Sequence, residues 1–174
     1  MALTKINNNT LSAITGLPAG VGGKVLQVAN VVNSTQTSTT STSYTDLGMS
    51  LAITPSATSS KILIQVNLNG SLLNTGSSEV LNTRLQVTPS GGSASTIAVY
   101  NGYGLAGQAN QGVGTISGST LHSPNSTSAQ TYKIQFRSLN GNAVLLGTNN
   151  TSNQTLADAS TNSMITLMEI AGWL

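Results

Sequence analysis

The stretch Lys61–Gly70, KILIQVNLNG, alternates apolar and polar positions. Ile62, Ile64, Val66 and Leu68 share one face of an extended strand, and Lys61, Gln65, Asn67 and Asn69 the other. Successive side chains of a strand point to opposite faces, so the pattern predicts a sheet with one side in a core and one toward a polar surface. Leu63 breaks the alternation. Two more stretches carry the same signature. In Val80–Thr88, Leu81, Thr83, Leu85 and Val87 oppose Asn82, Arg84 and Gln86; in Gln130–Arg137, Tyr132, Ile134 and Phe136 oppose Lys133, Gln135 and Arg137.

Shorter strands are expected at Lys24–Val32, Ser95–Tyr100, Val113–Ser119 and Asn142–Leu146, the last reached through a hairpin signal at Asn140-Gly141. Tyr44–Thr54 reads as two extended pieces broken at Gly48, a bulge or a change of sheet. The Ser/Thr run Asn33–Ser43 is a loop or an exposed edge. Ser163–Ile170 differs from the rest, with Met164, Met168 and Ile170 on one face and Ile165 and Leu167 on the other. Both faces are apolar, which predicts a strand buried on both sides. About eight to ten short strands with turn signals at roughly 8–12-residue spacing predict an all-β antiparallel β-sandwich, most simply a jelly roll. It would span residues 24–174, beyond an arm at 1–23 that ends in the flexible boundary LPAGVGG.

The arm carries Leu3, Ile6, Leu11, Ile14 and Leu17, spaced too irregularly for a helix of any length. It is either a frayed terminus or a docking arm, and five large aliphatic residues favour docking. Its first residues lack the apolar core of a signal peptide, and no run approaches transmembrane length, so neither ordinary secretion nor membrane insertion is expected.

Composition changes the picture in one respect. Among 174 residues 38% are hydrophobic but only 6% charged, so Ser, Thr, Asn and Gln must make the polar surface. Such a surface, at a net charge of +2, suits work outside a cell or inside an assembly. The cations Lys5, Lys24, Lys61, Arg84, Lys133 and Arg137 form no cluster along the chain, and nucleic acid is not an expected partner. There is no cysteine.

Candidate chemistry is sparse. The four acids, Asp46, Glu79, Asp158 and Glu169, are scattered, and Asp46 and Glu169 read as surface or interface groups. Without a carboxylate pair, a serine with a base, or a ligand cluster, no catalysis, metal or cofactor is expected. His122 reads as a solvated loop histidine; the alternative is one of three copies ringing an ion on a threefold axis. Tyr100, Asn101 and Tyr103 are a candidate glycan contact, against a reading with Tyr100 in the core and Tyr103 merely exposed.

The arm MALTKINNNTLSAITGLPAG, the segment GKVLQVANVV, the block SYTDLGMSLAITPSATSSKILIQVNLNG and the closing SMITLMEIAG together resemble small virion proteins of tailed bacteriophages. Proteins of that type are labelled tail-fibre or structural proteins, and the C-terminal part looks like the trimeric jelly roll of C1q and tumour-necrosis-factor domains. The resemblance implies a homotrimeric virion surface protein, docked to tail or capsid by its arm and facing a host surface glycan or protein. A capsid decoration protein stabilising the head is the alternative. Within such a trimer, Met164, Ile165, Leu167, Met168 and Ile170 are the candidate interface, because a two-layer sandwich buries one face of that strand.

Overall fold

In the computed structural model the described residues are 24–72, 79–105, 112–146 and 162–172, without the side chains of 70–72, 101–105 and 112–113. They form ten strands and no helix: β1 Val25–Asn33, β2 Thr37–Thr39, β3 Thr45–Ile53, β4 Lys61–Leu72, β5 Glu79–Pro89, β6 Ser95–Leu105, β7 Gly112–His122, β8 Gln130–Ser138, β9 Val144–Leu146 and β10 Ser163–Ile170. All pairings are antiparallel.

Strand β4 holds the larger sheet together. It pairs with β10 through Lys61–Asn67, with β7 along its whole length, and with β9 through Gly70–Leu72. Adding β1 beside β10 and β2 beside β9 makes six strands; the second sheet has four, in the order β3-β8-β5-β6. From β2 to β9 the chain changes sheet at every step except the β5–β6 hairpin, and β1 pairs with β10, which is the double Greek key of a jelly roll.

The alternating positions build the core as expected. Ile62, Ile64, Val66 and Leu68 of β4 meet Leu81, Leu85 and Val87 of β5 and Tyr132, Ile134 and Phe136 of β8, all buried. Ile165 and Leu167 of β10 complete this layer at 0% exposure. At an open side of the sandwich Tyr100 lies so close over Gly118 that a Cβ there would fall 2.4 Å from its ring, and the Tyr100 hydroxyl bonds to Thr120 at 2.8 Å. Only glycine admits that approach.

Three expectations are corrected. β10 is not buried on both sides: Met164 is 39% exposed, and Met168 and Ile170 are half-buried. Asn140-Gly141 does not close a hairpin. The chain leaves β8 there, and β9 pairs with β2 and β4 in the other sheet. The crossing segment closes on Glu79, which keeps the inward parity of Leu81 and Leu85 at the start of β5. Its carboxylate accepts the amides of Val80 (2.9 Å), Leu139 (2.8 Å), Asn140 (3.1 Å) and Asn142 (2.9 Å) and the Ser138 hydroxyl (3.0 Å). Burial pushes the carboxyl up, yet these donors hold it below the usual range. The crossover is therefore wrapped around a buried anion. Finally, His122 is no loop residue: it ends β7, and its Nδ1 lies 2.8 Å from the hydroxyl of the buried Tyr132.

The break at Gly48 is a bulge. Asp46 faces Gln135 and Ser50 faces Lys133, so three residues of β3 oppose one of β8, with Gly48 at φ +82°. Leu47 and Met49 stay on the inward face through it, because two extra residues leave the alternation in phase.

Candidate functional site

The fold offers two outer faces, and they differ in chemistry. On the larger sheet, register sets Val28, Met168, Leu63 and Leu121 side by side across β1, β10, β4 and β7. Val28 and Leu121 are each 61% exposed. Val25, Leu26 and Ile170 adjoin this row at one end, while Asn30, Thr166, Gln65 and Ser119 form a polar row on its other side. Leu63, the position that broke the β4 alternation, belongs to this outer row. Of the residues expected at a trimer interface, Met164, Met168 and Ile170 lie on this face. Ile165 and Leu167 do not: they are core side chains of their own subunit, so a charge there tests folding rather than association.

On the smaller sheet the outer face is polar and organised. Arg84 of β5 donates its Nε to Gln135 Oε1 at 2.7 Å, and the Gln135 amide donates to Asp46. Lys133 pairs with Asp46 at 3.2 Å. Tyr44 lies under two guanidinium groups, with Arg84 Cζ 4.3 Å and Arg137 Cζ 4.9 Å from its ring centroid. Arg137 donates to the Thr42 carbonyl at 3.3 Å, while its buried Nε has no partner. The cations at 84, 133 and 137 thus share this face, Lys133 and Arg84 acting on Asp46 and Arg84 and Arg137 on the Tyr44 ring. The sequence lacked a basic cluster; the register of β5 and β8 makes one. The hydrogen bond from Gln135, despite opposing burial, together with Lys133 and Arg84 holds the Asp46 carboxyl below its usual range.

Beside the Asp46–Lys133 pair a groove of about 590 Å³ runs to the β5–β6 turn, where Ser50, Thr131, Ser90 and Gly91 line it. Its walls combine hydroxyls and backbone with the apolar atoms of Met49, Pro89 and Ala129, and the ion pair is its charged end.

The other expected site residues stand elsewhere. Tyr100 packs on the core with its ring against Gly118, so that face of the ring is covered by protein and not offered to a sugar. The side chains of Asn101 and Tyr103, and the arm residues Leu3, Ile6, Leu11, Ile14 and Leu17, lie outside the described residues. Glu169 is corrected from a surface group to a buried one, at 0% exposure. It accepts the Ser56 amide and hydroxyl, both at 2.7 Å, and the Gln27 side-chain amide at 2.6 Å. Among the described residues no three His, Cys, Asp or Glu side chains gather to hold a metal, and no helix is long and apolar enough to cross a membrane.

Glu169 gives the protein an acid limit. Burial pushes its carboxyl up, but the Ser56 and Gln27 donors prevail and bring it down to about 2, from 4.5. A depressed folded-state pKa contributes stability that is present above the unfolded value and lost as pH falls from about 4.5 toward 2. Glu79 acts in the same direction. The urea midpoint should therefore hold steady from about pH 7 to 5 and drop steeply below about 4, with Glu169→Gln flattening the drop. An unchanged midpoint near pH 3 would contradict the assignment.

No family model matches the chain, and no curated protein does. Among solved structures, one of infectious bursal disease virus strain Gt is similar over 86% of this chain, at 11% identity and a TM-score of 0.39. One of strain Gx is similar over 84%, at 10% identity and 0.34. This chain spans 39% and 40% of those chains, and likeness at this level carries no argument about what it does.

Proposed function

We propose that this is a non-enzymatic virion surface protein of a tailed phage that assembles as a homotrimer through the outer face of its larger sheet. The observation that carries the reading is the apolar row Val28–Met168–Leu63–Leu121, continuous across four strands, exposed at Val28 and Leu121 and half-buried at Met168 and Leu63 in a single chain. Patches of this kind on a soluble protein mark interfaces, and a closed rotation buries the same patch on every copy. Met164 and Ile170 extend it. The arm at residues 1–23 joins the trimer to tail or capsid, and the opposite, polar sheet is left free to meet a host surface.

The absence of catalysis in this reading is supported by the engagement of the described acids. Asp46 is held by Lys133 and Gln135, and Glu79 and Glu169 are enclosed by donors, so none is poised as a general acid. Light scattering of the intact protein should give three times the 17.7 kDa of one chain, and Met168→Asp should give one chain or aggregate while keeping its strand signal in circular dichroism. A wild-type mass of one chain would refute the trimer. Copy number in purified particles then separates a tail component, at low stoichiometry, from a decoration protein covering the head.

A further inference from the structure

We infer that the outer face of the smaller sheet binds acidic polysaccharide, its guanidinium groups taking carboxylate or sulfate substituents and the adjoining groove taking neutral sugar rings. This deepens the host-surface part of the proposed function and names its ligand class.

Charge is the first argument. Two guanidinium groups share the Tyr44 ring, while the one acid nearby is already engaged by Lys133 and Gln135. Among the described residues Arg84 spends its Nε on Gln135 and Arg137 one terminal amine on the Thr42 carbonyl, and no bond from the two terminal amines of Arg84 is seen there. Two guanidinium groups on one ring outnumber the single carboxylate nearby, and a guanidinium fork matches a carboxylate or sulfate edge. The positions are fixed in advance: Gln135 orients Arg84, and Tyr44 orients both arginines. Little side-chain entropy remains to be lost on binding.

The groove supplies the second argument. It starts at the Asp46–Lys133 pair on this same face and continues past Ser50, Thr131 and the Ser90–Gly91 turn. A volume of about 590 Å³ lies within the range of small-ligand sites. Hydroxyls, a backbone turn and one carboxylate are hydrogen-bonding partners for sugar hydroxyls. Nucleic acid fits less well. The Tyr44 ring is already covered by guanidinium groups and is no platform for a base, and beyond Lys133 the groove carries no cation to follow a phosphate chain.

The test is calorimetric titration of the full protein with alginate oligosaccharides, dextran sulfate and uncharged dextran. Binding of alginate or dextran sulfate, and not of dextran, is expected, and the preferred polymer identifies the substituent. Arg84→Gln and Arg137→Gln should each weaken it at least ~10-fold, and Arg84→Lys, which keeps the charge and loses the fork, by nearly as much. Ser50→Trp, at an exposed position that leaves both arginines in place, should also weaken it by fouling the groove. Failure of both acidic polymers to bind, equal binding of dextran, indifference to the Arg84 and Ser50 variants, or tighter binding of single-stranded DNA would each overturn the inference. Light scattering of the same samples reports assembly separately, so loss of polysaccharide binding with an intact trimer leaves the virion reading standing.

Discussion

Glu79→Ala should destabilise the protein by about 3–4 kcal/mol, more than most single substitutions, in urea denaturation at neutral pH. The carboxylate satisfies four backbone amides and a hydroxyl at the point where the chain passes from β8 to β9. Removing it takes away the acceptor these donors share, and the β8–β9 crossover loses what it is folded around. Glu79→Gln should cost less, about 1–2 kcal/mol, because one oxygen still accepts while the new amide faces the donors of Ser138 and Asn142. Equal effects of the two variants would show that loss of the anion alone, and not the space left by alanine, sets the cost.

Phe136→Ala is expected to cost about 3–5 kcal/mol. This is the chain's single phenylalanine, fully buried in β8 between β3 and β5, with Thr45 and Thr83 opposite it. The regular sheet around it cannot collapse into the space it leaves. Phe136→Leu should retain most of the stability, which distinguishes lost packing from a disturbed ladder. Urea midpoints at unchanged slope would measure both; a cost under about 1 kcal/mol would mean that the core repacks.

These two residues also mark what could be read from the chain beforehand. Phe136 was legible, because alternation is local: Tyr132, Ile134 and Phe136 face inward in any sheet that β8 joins. The bulge at Gly48 was legible for the same reason. Glu79 was not. Its importance lies in amides some sixty positions away along the chain, and the hairpin signature at Asn140-Gly141 pointed to local pairing that a distant carboxylate overrides. Glu169 was misjudged likewise, since a charge at an inward position reads as exposed until its donors from β1 and the β3–β4 loop are known. The arginine pair depended on register, which places Arg84 beside Gln135 and Arg137 beside Asn82. One signal was present and undervalued. Leu63 seemed an irregularity in β4, yet it is the outward apolar residue that meets Met168 and Leu121.

The pairing of β1 with β10 has a consequence for biosynthesis. Val25 lies opposite Ile170 and Val31 opposite Ile165, so β1 stays without this partner until β10 is made. Until β10 emerges there is a gap between β1 and β4, and β1 and the β10-facing edge of β4 present unpaired backbone groups. Closing so long a loop is entropically slow, and open edges of that kind invite pairing with a neighbouring nascent chain. A ribosome stalled before residue 163 would therefore release a chain prone to aggregate. On a polysome the same exposed β1 and β4 edges bring sibling chains together early, so the race between β10 and a neighbour's strand decides whether a chain folds on itself or is lost to its siblings.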